Sequence, residues 1–116
     1  MRTVTVCVKS LDAGLNRFKH AWETGEYQGE FVTFESVEGM HRMLTPNRWE
    51  LLRVLQAEGP MGIRELARRL SRDVKNVHTD VTKLREYGLV EDAEDGGIWV
   101  PYDEIRAEFV VKRKAV

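Results

Sequence analysis

The chain of 116 residues has one cysteine, three prolines, and no long apolar run, and each shortage removes a class of protein. A single Cys7 closes no internal disulfide and builds no thiolate metal cage. It sits in the strand-like run TVTVCV beside Val6 and Val8, where a thiol is expected to be buried and inert. No apolar stretch approaches the roughly 20 residues of a membrane-spanning helix. The opening MRTVTVCVKS lacks the apolar length and small-residue cleavage site of a secretory signal. The expectation is a cytoplasmic protein with no membrane contact. His20, His41 and His78 fall in separate predicted elements without ligand spacing, so no metal is expected. No glycine-rich phosphate loop follows a strand, and no serine or cysteine stands in a nucleophile motif. With its acidic residues scattered over predicted solvent faces, the chain is expected to be no enzyme and to carry no cofactor.

Charge of one sign is also lacking, since the formal net charge is −1. Its distribution matters more than its sum. Residues 1–41 hold 4 basic and 6 acidic side chains, residues 42–88 hold 10 and 6, and residues 89–116 hold 4 and 7. The positive excess is therefore confined to the middle. Charged residues at 32% and hydrophobic ones at 42% suit a folded protein, of a length that predicts one core.

That middle holds the most organised stretch, IRELARRLSRDVKNVHTDVTKLREYGL, Ile63 to Leu89. Ile63, Leu66, Ala67 and Leu70 recur at i, i+3, i+4 and i+7, which predicts a helix with one apolar face. Ser71-Arg72-Asp73 makes a polar turn, Asp73 is a good N-cap, and Val74, Val77, Val81 and Leu84 predict a second amphipathic helix to Tyr87. Gly88 is placed to end it. Gly62 falls at the N-cap of the first helix, with Glu65 three residues on to return a capping bond.

Around this pair the chain reads as an α+β protein, mainly helical. Thr3–Val8 predicts a strand, and Ser10 caps a helix to about Thr24 with Leu11, Leu15, Phe18 and Trp22 on one seam. Spacing of four, three and four suits either covering a small sheet or packing on a second copy of the chain, and the little sheet available to cover favours the second copy. Phe31–Phe34 predicts a strand, and Ser36 caps a short helix carrying Val37, Met40, Met43 and Leu44. Thr45-Pro46 starts a helix to about Ala57 with Trp49, Leu51, Leu52 and Leu55 buried, stopped by Gly59-Pro60. Val90–Asp92 and Ile98–Val100 predict a hairpin across Ala93–Gly97. A last strand is expected from about Glu108 to Val111, before the basic tail Lys112-Arg113-Lys114. The segmentation is residues 1–43 for dimerisation, 44–101 as a winged helix-turn-helix, and 102–116 as a C-terminal extension.

A DNA-recognition helix buries one face and offers long basic and amide side chains near its N-terminus to the major groove. Lys75, Asn76, His78, Thr79 and Lys83 are available for this, with Arg72 just before the helix; Arg68 and Arg69 on its predecessor either brace a phosphate strand or pair with Glu65. Lys75 and Arg72 suit guanine edges or phosphate, Asn76 suits adenine, and Thr79 suits phosphate or a thymine methyl. Such a face is ordinarily just solvated; the turn, the cap, the glycine stop and the hairpin in this order favour DNA. Glu91, Asp92, Glu94 and Asp95 make the hairpin acidic, so no wing insertion into the minor groove is expected.

The segment LTPNRWELLRVLQAEGPMGIRELARRLSRDVKNVHTDVTKLREYGLVE resembles winged helix-turn-helix transcriptional regulators of the MarR and ArsR type. More closely, LTPNR, ELARRL, RDVKNVHTDV, EYGLVE and VPYDEI resemble a family of small bacterial and archaeal predicted regulators, some of them antitoxin-like repressors. The resemblance implies a DNA-reading role for Arg72, Lys75, Asn76, His78 and Thr79, and dimerisation by the flanking segments. It implies a dimeric repressor on double-stranded DNA. The alternative is an antitoxin-like module that masks a toxin-like partner and autoregulates its operon.

Overall fold

The computed structural model describes residues 1–8, 30–109 and 113. Within them four helices and five short strands make a small α+β protein: β1 (Thr3–Val8), β2 (Glu30–Phe34), α1 (Val37–Met43), α2 (Pro46–Glu58), α3 (Ile63–Leu70), α4 (Val74–Glu86), β3 (Glu91–Asp92), β4 (Ile98–Trp99) and β5 (Glu104–Glu108). The seam Leu11, Leu15, Phe18 and Trp22 lies outside the described residues. Among those described, no helix is long and apolar enough to cross a membrane. Where the length suggested one core, the chain divides into two compact units, one of residues 43–103 and one drawn from 2–42 and 104–116.

In the second of these, β1 is the middle strand of a parallel sheet ordered β2-β1-β5. Val4, Thr5 and Val6 are buried, so both faces of this strand are covered. That explains a near-continuous run of β-branched residues instead of strict alternation. Val6 lies in register with Val32 on one side and Ala107 on the other. Arg2 clamps Glu30 through two hydrogen bonds of 2.6 and 2.8 Å, which lowers the Glu30 carboxyl below its ordinary pKa. The last strand runs Glu104–Glu108, four residues earlier than the apolar Phe109-Val110-Val111 suggested. Its position follows the length of β1, Thr3 opposite Glu104 through Cys7 opposite Glu108, so strand pairing overrides local hydrophobicity. Phe109 follows the strand and meets the His41 ring edge-on at 5.9 Å.

In the unit of residues 43–103, α2 and α4 start where a side-chain cap satisfies an orphan amide. Thr45 Oγ1 accepts from the Arg48 amide at 3.3 Å with Pro46 inside the first turn, and Asp73 accepts from the Lys75 amide at 2.9 Å. Gly62 precedes α3 without a side-chain cap, and Glu65 turns to Arg68 and Arg69 instead of closing a capping box.

The helix ends are equally defined. After α4, Gly88 (φ 77°) takes the left-handed conformation; its amide bonds the Arg85 carbonyl and the Leu89 amide bonds that of Leu84, both at 3.0 Å. This pair of bonds is the Schellman arrangement, with its apolar contact supplied by the fully buried Leu84 and Leu89. The turn between α3 and α4 is built the same way: Ser71 (φ 53°) donates to Arg68 and Arg72 to Ala67. A serine thus holds a position that glycine usually fills.

The core of this unit is Leu51, Leu52 and Leu55 of α2, Leu66 and Ala67 of α3, Val77, Val81 and Leu84 of α4, and Leu89, Val90 and Ile98. Fully burying one such leucine is worth roughly 1.5–3 kcal/mol. Trp49, expected inside, is half-buried. The hairpin pairs Glu91 with Trp99 and Asp92 with Ile98, and Met61 adds an isolated bridge to Ile98. Gly97 permits that approach, because a Cβ there would lie 3.1 Å from the Met61 carbonyl oxygen.

Candidate nucleic-acid interface

Helix α4 presents two faces with different chemistry. Its inner face holds Val77, Val81 and Leu84, each fully buried, and also Asp80. A carboxylate there needs partners, since an uncompensated buried charge costs several kcal/mol. It has two: Arg48 Nε donates to Asp80 Oδ1 at 2.9 Å, and Arg72 Nη2 donates to Oδ2 at 2.7 Å. Arg48 also donates to the Met43 carbonyl at 2.8 Å. The side chains of Asp80, Arg48 and Arg72 are 12%, 16% and 23% exposed, so the group is largely shielded from water. It ties α2 and the α3–α4 turn to the middle of α4.

This corrects one expected DNA contact. Arg72 points inward to Asp80, and its Nη1 is buried without a hydrogen-bond partner among the described residues. Val74 is corrected in the opposite sense. The period of the helix places it on the buried face, yet it is 43% exposed in the first turn of α4. Periodicity gives the direction of a side chain; whether a neighbour extends far enough to cover it is a tertiary matter.

The outer face carries Lys75, Asn76, His78, Thr79 and Lys83, all exposed. Lys75, Thr79 and Lys83 follow each other at intervals of four and Asn76 lies beside them, while His78 falls on the other flank. Thr79 donates its hydroxyl to the Lys75 carbonyl at 3.1 Å and Thr82 to that of His78 at 2.9 Å, which fixes both rotamers and leaves the hydroxyl oxygens able to accept. Lys83 stands 3.9 Å from Glu86.

Arg68, the remaining expected contact, lies on α3 and is 72% exposed. It pairs with Glu65, which also accepts from Arg69, while Arg69 reaches Glu58 as well. The hydrogen bonds from Arg68 and then Arg69 hold the Glu65 carboxyl down at about 2, and the carboxylates in turn raise both arginines. In the hairpin, Asp92 accepts from Arg85 at 2.9 Å and Asp95 accepts from the Gly97 amide at 3.2 Å; Glu94 is exposed. The hairpin edge is thus acidic in space as well as in sequence. Among the described residues, no three His, Cys, Asp or Glu side chains gather as a metal site.

Two residues of this arrangement are not singled out by the sequence: Arg48 of α2 and Asp80 of α4. The signal was there, because each occupies a seam position. Arg48 precedes Leu51, Leu52 and Leu55 at i+3, i+4 and i+7, and Asp80 stands three after Val77 and four before Leu84.

The unit of residues 43–103 is thus a small helical domain closed by a hairpin, with a shielded ion triad beneath an exposed basic and amide face. Residues 43–107 match the HVO_A0114 family, more than half of the chain, and the protein belongs to that family. No curated protein and no solved structure matches the chain.

Proposed function

We propose that residues 43–103 are a winged helix-turn-helix that reads double-stranded DNA with α4, and that the protein is a transcriptional regulator acting as a dimeric repressor. The order α2, Met61 bridge, α3, turn, α4, hairpin supports this reading, being the element order of that fold. The observation that carries it is the exposure of Lys75, Asn76, His78 and Thr79 on the first two turns of a helix whose opposite face fully buries Val77, Val81 and Leu84. Asn76 is suited to a bidentate bond with adenine, Lys75 to guanine or phosphate, and Thr79 to phosphate or a thymine methyl. The acidic hairpin stays out of the minor groove. The dimer rests on the sequence seam Leu11, Leu15, Phe18 and Trp22, and would set two α4 helices about 34 Å apart, one DNA turn. An antitoxin-like protein would keep the same α4 contacts for autoregulation, and no observation among the described residues favours it over a plain regulator. The activity proposed is binding, without catalysis or cofactor.

The test is affinity for duplex DNA from the protein's own promoter, before and after Lys75→Ala with Asn76→Ala. Loss of one good base contact costs about 1–3 kcal/mol, so specific affinity should fall at least tenfold while circular dichroism stays unchanged. Equal affinity for promoter and scrambled duplex in the wild-type protein, or no change in the double variant, would sink the reading.

A further inference from the structure

The unit of residues 43–103 contains nine basic side chains, and seven of them have a carboxylate within ion-pair distance. Arg48 and Arg72 share Asp80, Arg68 and Arg69 share Glu65, Arg53 meets Glu50, Lys83 meets Glu86, and Arg85 meets Asp92. Among the described residues only Lys75 and Arg64 of this unit have none. Both are exposed, and each is the second residue of its helix, Arg64 in α3 and Lys75 in α4.

From this we infer that Arg64 is a DNA-phosphate contact of the protein, and that Arg64 and Lys75 together supply nearly all of the phosphate neutralisation by residues 43–103; the inference rests on the DNA-binding reading above. A cation already paired with a carboxylate brings little net charge to a phosphate, because the phosphate must displace the carboxylate and leave it unpaired nearby. An unpaired arginine meets no such competition, and its planar fork matches phosphate oxygens. The first helix of a helix-turn-helix crosses the DNA backbone while the second enters the groove, so an unpaired cation on α3 faces phosphate and one on α4 faces bases or phosphate. Arg64 therefore contributes affinity without sequence preference.

Counterion release makes this measurable. Each neutralised phosphate lowers the slope of log K against log salt by about 0.9 and is worth about eightfold in affinity at 0.1 M salt. Two contacts give a slope of about −2 per protomer; nine would give about −8. The full-length chain is titrated by fluorescence anisotropy against two duplexes, one selected from a random pool by the wild-type protein and one scrambled, from 50 to 400 mM salt. Arg64→Gln should weaken both by about the same factor, near eightfold at 0.1 M, and make the slope shallower by about 1 per protomer; Arg64→Lys should restore most of the slope. Arg68→Gln and Arg69→Gln should change the slope little.

A wild-type slope near −8 per protomer would overturn the inference, as would an Arg64→Gln variant that binds both duplexes like the wild type. If at the same time Lys75→Ala with Asn76→Ala abolishes the preference for the selected duplex, the DNA-binding reading survives and only the role of Arg64 falls. Absence of binding to either duplex at 50 mM salt removes both.

Discussion

Removing the Asp80 carboxylate is the sharpest perturbation available, because two arginines depend on it. In Asp80→Ala, Arg48 and Arg72 lose charge-assisted bonds of 2.9 and 2.7 Å. Breaking a buried ion pair by deleting one partner costs about 3–5 kcal/mol, most of it from the charge left unpaired. Here the arginines are 16% and 23% exposed, and Arg48 keeps its bond to the Met43 carbonyl, so part of that cost is relieved by water and by the backbone. The expected loss is about 2–4 kcal/mol. In urea, where a small domain has a slope of about 1–3 kcal/mol per molar, the midpoint should fall by roughly 1–2 M. Trp49 and Trp99 lie in this unit, and their near-ultraviolet circular dichroism is a suitable signal. Replacing Arg48, Arg72 and Asp80 together by methionine, methionine and leucine should recover most of the loss, because no unpaired charge is then left. Asp80→Ala within about 1 kcal/mol of wild type would refute the triad as a stabilising element. A cycle of Arg72→Ala and Asp80→Ala with no coupling would return Arg72 to the proposed DNA-reading set.

Two further perturbations separate local strain from local charge. Ser71→Gly should raise stability by about 0.5–1 kcal/mol, since the left-handed conformation costs a non-glycine residue about 1–2 kcal/mol and glycine returns part of that as chain entropy. A lowered urea midpoint would mean that the serine side chain has a role the turn geometry does not reveal. Glu65 should titrate near 2 in carbon-detected magnetic resonance, well below the ordinary 4.5. A depressed carboxyl favours the folded state while it is ionised, so this stabilisation is complete above about pH 4.5 and fades as pH falls through about 2. Glu65→Gln should abolish that acid-side dependence, and titration of Glu65 at its ordinary value would exclude the paired geometry.

Much of the fold was legible because caps and breakers are local. Thr45-Pro46, Asp73, Gly88 and the Ala93–Gly97 loop each act through a few adjacent backbone groups, and each marks the element boundary that it predicted. The glycine-free turn at Ser71 was readable only as a polar interruption, since nothing in a serine announces a positive φ. The bounds of strand β5 and the joining of residues 2–42 with 104–116 in one unit were not legible. They depend on which distant strand offers its edge, and Glu104–Glu108 pairs with a strand about a hundred residues earlier in the chain.

The site divides along the same line. That α4 would show Lys75, Asn76, His78 and Thr79 to solvent follows from the period of Val77, Val81 and Leu84, and needs no tertiary information. Which arginine faces inward does, because Arg72, Arg68 and Arg69 are chemically alike and differ only in what lies opposite. Two clues together would have resolved it: an arginine at a seam position of α2 and an aspartate at a seam position of α4 are each improbable in an apolar interior, yet compatible when they face each other. Once Arg48 is assigned to Asp80, that carboxylate still has one free oxygen, and Arg72, at the end of the turn, is the basic residue on hand. The charge excess of residues 42–88 is then a poor measure of attraction to DNA, because three of its sixteen charges meet inside the fold and most of the others pair on its surface. What reaches outward is set by the cations left without carboxylates, and that subset is visible only once the chain is folded.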